Sequence, residues 1–157
     1  MDDFETADSL LDAGQGEKAL AIFRRLAEDT GRVAAMHSIA HTHLYGIAGV
    51  AQDYDLAFKW FTRAAQGGCP QAMYHLGMCS AEGYGTPKNP ELAYSWYRKS
   101  AELGDEDAAF RTGECLEKGF GVKADSAQAR EWYRRAAQAD QAEAKAKLAE
   151  MEGKARA

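Results

Sequence analysis

The sequence predicts an all-α protein, an α/α superhelix formed as a right-handed solenoid of helix-turn-helix repeats. Three observations predict it. Trp60, Trp96 and Trp132 stand 36 residues apart. Ala65, Ala101 and Ala137 keep that interval, as do Asp53, Asn89 and Asp125, and Gly49, Gly85 and Gly121. Each period also carries apolar residues at helical spacing on both sides of a glycine loop. A fixed period of roughly 20–50 residues marks a stacked array, in which no unit buries its aromatic residues alone.

Residues 1–30 read as a degenerate hairpin, with Ala7, Leu10 and Leu11 before the short turn Gly14-Gln15-Gly16. Ala19, Ile22, Phe23, Leu26 and Ala27 follow it. Residues 32–68 form the first full repeat, with Ala35, Ile39 and Ala40 on its first helix and Ala57, Trp60, Phe61, Ala64 and Ala65 on its second. Its loop is one residue longer than the others. In the repeat 69–104, the first helix runs from about Gln71 to Glu82 and carries Ala72, Leu76 and Cys79 on one face. The loop Gly83-Tyr84-Gly85 permits positive φ at the helix exit. Asn89 then caps a second helix that has Pro90 in its first turn and Glu91 at the positive dipole end. Ala93, Trp96 and Tyr97 follow. The repeat 105–140 has Ala108, Thr112, Gly113 and Leu116, then Gly119 and Gly121, with Asp125 as cap and Gln128 completing a possible capping box. Ala129, Trp132, Tyr133, Ala136 and Ala137 close it. Residues 141–153 read as a capping helix, and Lys154 to Ala157 as a frayed end.

The small residues Ala40, Gly77 and Gly113 share one position and allow a second helix to approach, while the tryptophan or aromatic pair fills the space between units. On this reading Trp96 is a core anchor, and Trp96→Ala costs on the order of 3–5 kcal/mol.

Composition bounds the function. Of 157 residues 46% are apolar, enough for a continuous core, and the formal charge of −5 argues against nucleic acid. No apolar run reaches the length that crosses a bilayer. Met1-Asp2-Asp3-Phe4-Glu5 lacks the basic and apolar regions of a signal peptide, so a cytoplasmic chain is expected. Cys69, Cys79 and Cys115 imply no disulfide framework.

Together these residues resemble the Sel-1-like repeat family, relatives of the tetratricopeptide repeats. The resemblance is carried by Ala72, Leu76, Gly77, Gly83, Gly85, Ala93, Trp96, Ser100, Ala101 and Gly104. It is carried again by Ala108, Gly113, Gly119, Gly121, Val122, Asp125, Ala129, Trp132, Ala136 and Ala137. It covers residues 32–152. Thr112 departs from the pattern, as do His43, Ser80 and Leu116 where the family prefers tyrosine. The resemblance implies a non-enzymatic adaptor or scaffold that binds a protein or peptide on a concave face. Some bacterial members act in signalling, secretion or toxin neutralisation, so an immunity-type inhibitor is also implied. Some cysteine-rich relatives carry bridges where this chain has Ala65 and Ala72, so that subfamily is not implied.

The expected concave face is the first-helix surface: His37, His41, Leu44 and Tyr45, then Tyr74, Met78 and Ala81, then Phe110, Glu114 and Glu117. Exposed aromatic residues and a methionine suit a partner helix, loop or peptide. No cofactor, metal or membrane is expected, and the free chain is expected to be a monomer. The alternative is a metal-dependent hydrolase using His37 and His41, since i, i+4 histidines are a usable metal spacing. Cys79 and Cys115 read as small buried hydrophobes. Arg24-Arg25, Arg63, Arg98-Lys99 and Arg134-Arg135 read as a solvated outer face. No nucleophile or phosphate-loop pattern occurs.

Overall fold

A computed structural model describes residues 1–156 of the chain. Among them there are nine α-helices and no strand. They are α1 (Asp3–Asp12), α2 (Gly16–Thr30), α3 (Val33–Tyr45), α4 (Tyr54–Gln66), α5 (Pro70–Glu82), α6 (Pro90–Glu102), α7 (Glu106–Lys118), α8 (Ser126–Gln138) and α9 (Ala142–Arg156). The helix continues through Lys154 to Arg156, so the expected frayed end is helical there, and Ala157 lies outside the described residues. The chain divides into two compact units. One comprises Met1–Ala72 with Tyr84–Pro87, the other Met73–Gly83 with the chain from Lys88 onward.

The same local chemistry starts each second helix. Asp53, Asn89 and Asp125 accept from the backbone N–H of Leu56, Leu92 and Gln128 at 3.0, 3.1 and 3.0 Å. The capping residue's own N–H donates back to the first helix. Asp53, Asn89 and Asp125 bond the carbonyls of His43, Ser80 and Leu116 at 2.9, 2.8 and 2.8 Å. Each loop is therefore pinned by one side chain and one backbone bond. The first helices are capped less evenly. Asp105 accepts from Ala108 N–H at 2.7 Å, and Gln141 from Ala144 N–H at 2.6 Å. Cys69 stands at the same place before α5, and its thiol instead donates to Gln71 at 3.4 Å. A thiol is a poor cap acceptor, so Cys69→Asp should stabilise the protein by about 1 kcal/mol. A urea midpoint unchanged or lowered by this substitution would count against the capping register.

In the first unit α1 packs on α2, α2 on α3, and α3 on α4, around Leu20, Phe23, Ile39 and Phe61. In the second, α6 packs on α7, α7 on α8, and α8 on α9. Its core holds Phe110, Leu116, Trp132, Tyr133 and Ala144, with Leu148 and Met151 of α9 against it.

The small residues of the first helices act as the sequence implies. A Cβ on Gly77 would lie 2.6 Å from the Tyr97 ring, and one on Gly113 2.6 Å from the Tyr133 ring. Any side chain there would force α6 or α8 outward. This identifies the deep anchors as Tyr97, 6% exposed, and Tyr133, fully buried. Trp96 is not the anchor expected of it. It is only partly buried, with the Lys99 ammonium 5.0 Å above its ring. Adjacent residues on a helix point about 100° apart. Only one of the aromatic pair can face the glycine, and it is the second. Trp60 is likewise partly exposed beneath Arg63, while Trp132 is more deeply buried beneath Arg135.

The buried thiols fit the core reading. Burial pushes the Cys79 and Cys115 thiols up to about 11, which keeps both protonated and unreactive. No helix among the described residues is long and apolar enough to cross a membrane.

Candidate interaction surface

The first helices α3, α5 and α7 each present a narrow strip that their own unit does not cover. On α7 the strip is Arg111, Glu114 and Lys118. On α5 it is His75, Met78 and Glu82, and on α3 Ser38, His41 and Tyr45. The spacing i, i+3, i+7 keeps these residues on one helix face. All nine are partly or fully exposed.

This strip overlaps the expected face without coinciding with it. His41, Met78 and Glu114 lie on it, as does Tyr45, 51% exposed. Leu44 and Phe110 do not: they are 2% and 3% exposed and belong to the core. Phe110 packs 5.6 Å from the Tyr133 ring, centroid to centroid, so it offers nothing to a partner. His37, Tyr74, Ala81 and Glu117 flank the strip and are half-buried. Tyr74 lies 5.8 Å from the Tyr97 ring, and His37 5.7 Å from Phe61. Glu117 is engaged within its own unit. The Tyr133 hydroxyl donates to it and the Lys147 ammonium lies 3.3 Å away. Those two bonds hold the Glu117 carboxyl below its ordinary range against the cost of burial.

In the second unit the strip borders a cavity of about 320 Å³. Its apolar lining is Ala81, Tyr97, Cys115 and the exposed Phe120, and its charged lining is Glu82, Arg111, Glu114 and Lys118. Glu114 is bound from both sides. Arg111 reaches one carboxylate oxygen at 2.7 Å, and Lys118 the other at 3.5 Å. Burial would lower the Arg111 guanidinium, but hydrogen bonds to Glu114 and Tyr74 hold it above its ordinary range. Arg111 and Glu114 thus hold one another, while the Lys118 side chain remains 63% exposed. The sequence reading found Glu114 and missed Arg111 and Lys118. Their fixed positive charge has no echo in the other repeats, where Ser38 and His75, and Tyr45 and Glu82, hold those positions.

His37 and His41 stack loosely along α3, with ring centroids 6.0 Å apart. Burial lowers the His41 imidazole, which favours its neutral form. Among the described residues no three His, Cys, Asp or Glu side chains gather as a metal site requires.

His43, three residues before the loop, is buried with neither ring nitrogen hydrogen-bonded. An unmade hydrogen bond at a buried polar atom costs about 1–3 kcal/mol. Leu116 fills the same position in the third repeat. His43→Leu should therefore raise stability by about 1 kcal/mol, read as an increase in the denaturant midpoint. A decrease would show that the ring has a role its surroundings do not reveal.

The comparisons agree with this architecture. A family model described as Sel1 repeat matches residues 33–69, 70–105 and 106–141, together more than half of the chain. The crystal structure of a Sel1 repeat protein from Oxalobacter formigenes is similar, with a TM-score of 0.85 and 34% identity. It aligns over 92% of this chain and 58% of its own. A protective antigen present in uropathogenic Escherichia coli strains has a TM-score of 0.79 and 28% identity, over 89% of this chain and 31% of its own. Helicobacter pylori cysteine rich protein B shares the fold at 19% identity, with a TM-score of 0.65 over 80% of this chain and 94% of its own. In Saccharomyces cerevisiae, Activator of C kinase protein 1 is 40% identical over 62 residues, 39% of this chain and 10% of that protein. The chain therefore spans well under two-thirds of the Oxalobacter, Escherichia and yeast proteins it matches.

Proposed function

The chain belongs to the Sel1 repeat family, a family of protein-interaction repeats, and on that premise we propose that it is a non-enzymatic module that binds a protein or peptide partner through the exposed strips of α3, α5 and α7. The observation that carries this reading is the cavity of the second unit. An apolar lining beside the paired Arg111 and Glu114 suits one inserted side chain of a partner flanked by polar contacts. The neighbouring Met78 is an unbranched, adaptable contact residue of the kind promiscuous surfaces use. Two roles fit such a module: an adaptor that holds a partner in an assembly, and an inhibitor of the immunity type that occludes one. Neither role requires a cofactor, and the acidic balance of the chain does not suit nucleic acid.

The test is affinity capture from the source organism, comparing the native chain with the triple variant His41→Ala, Met78→Ala, Glu114→Ala. The expected result is one dominant protein partner, lost by at least roughly tenfold in the variant, with the helical signature of the chain retained. A partner held equally well by the variant would remove the strips as the binding surface. Recovery of nucleic acid that elutes steeply with salt would overturn the reading altogether.

A further inference from the structure

A second cavity, of about 210 Å³, lies within the first unit between α1 and α3. It is lined by Asp8 and Leu11 of α1 and by His37, Ser38, His41 and Thr42 of α3. Two rings of α3, His37 and His41, line this edge, and Tyr45 packs on the second of them from outside the lining. His37 and His41 are 6.0 Å apart by centroid, and His41 and Tyr45 4.7 Å. A planar guanidinium stacks on aromatic faces. Burial favours the neutral His41 imidazole, so it does not repel one.

The acidic side of the cavity has no cation of its own. Among the described residues Asp8 enters no salt bridge, and Asp12 places a second carboxylate one helical turn away. Like charges at i, i+4 are destabilising. Burial first, then Asp12, raises the Asp8 carboxyl above its ordinary range. Arg32 acts on Asp8 from a distance, but it is bound to Asp2 at 3.4 Å and lies over the Phe4 ring at 4.4 Å. A carboxylate beside a row of rings, facing an open cavity, lacks only the positive group that would complete it.

We propose that this cavity receives an arginine side chain of the protein partner, its guanidinium on the Asp8 carboxylate and its plane against the His41 ring. Arginine fits better than lysine because a planar guanidinium both stacks on a ring and forks onto a carboxylate. Leu11 flanks the aliphatic stem. The proposal rests on the reading that the first helices bind a protein, and it names one residue class of that partner.

The experiment titrates the full chain with N-acetyl-arginine N-methylamide and follows its backbone amide NMR signals, with the norleucine and glutamate analogues as controls. The arginine probe should shift the signals of Asp8, Leu11 and His41 saturably and bind at least roughly fivefold more tightly than norleucine. Asp8→Asn should reduce its binding to the norleucine level, with the thermal midpoint unchanged or raised. Equal binding of the norleucine or glutamate analogue by the native chain would overturn the proposal, whatever the variant does. So would an arginine response that survives Asp8→Asn. A negative result here alongside capture that depends on the strips removes the arginine site alone. A positive result alongside capture that the triple variant leaves intact would overturn the proposal as well as the strip reading, because that variant removes the His41 ring.

Discussion

Tyr133→Ala should lower the unfolding free energy by about 3–5 kcal/mol. The ring is fully buried and fills the space that Gly113 leaves open on α7. It also packs against Phe110 and donates its hydroxyl to Glu117. Truncation would open a cavity where α7, α8 and α9 meet and leave Glu117 with Lys147 alone. Because α7–α8 and α8–α9 contacts share this residue, the loss should spread across the second unit. Trp96→Ala is the control. Trp96 is only partly buried, so its cost should be under about half that of Tyr133→Ala. Urea denaturation of the two variants measures both. Equal losses would restore the tryptophan as the structural anchor of the repeat.

Gly121→Ala should cost about 3 kcal/mol or more. The residue adopts φ of +69°, and a Cβ there would lie 2.0 Å from the Pro90 carbonyl oxygen and 2.3 Å from its carbon. Those are backbone atoms that cannot swing aside, so the loop must lift off the start of α6. Gly49 occupies the same repeat position with φ of +80°, but nothing lies within 4 Å of its Cβ direction. Gly49→Ala should therefore cost only the backbone term, about 1–2 kcal/mol. The comparison separates conformation from contact at one motif position. Equal costs would mean that the packing of this loop on α6 contributes nothing.

Much of the fold was legible because the repeat writes each decision several times. Asp53, Asn89 and Asp125 announce three helix starts at one interval, and the structure gives each the same cap bond. Gly77 and Gly113 announce a close approach, and tyrosine rings fill it. Repetition also misled. The tryptophans are the most conspicuous periodic residues, yet conspicuous recurrence does not say which of two adjacent aromatic residues faces inward. The surface was less legible. Phasing each first helix on one small residue leaves its orientation uncertain by a position. The first helices are also covered on more than one side, so their apolar arc is wide. Leu44 and Phe110 fell inside that arc. Arg111 and Lys118 could have been found by asking which positions stay polar or mixed in all three repeats, since 38, 75 and 111, and 45, 82 and 118, satisfy that test.

The most direct measurement of the interaction surface is hydrogen exchange of the chain with and without its captured partner. Slowed exchange should concentrate in α3, α5 and α7, strongest around His41 and Met78 and between Arg111 and Lys118. The second helices α4, α6 and α8 should exchange as they do in the free chain. Protection confined to α4, α6 and α8, around the cations that cover Trp60, Trp96 and Trp132, would contradict the account and place the partner on the opposite set of helices.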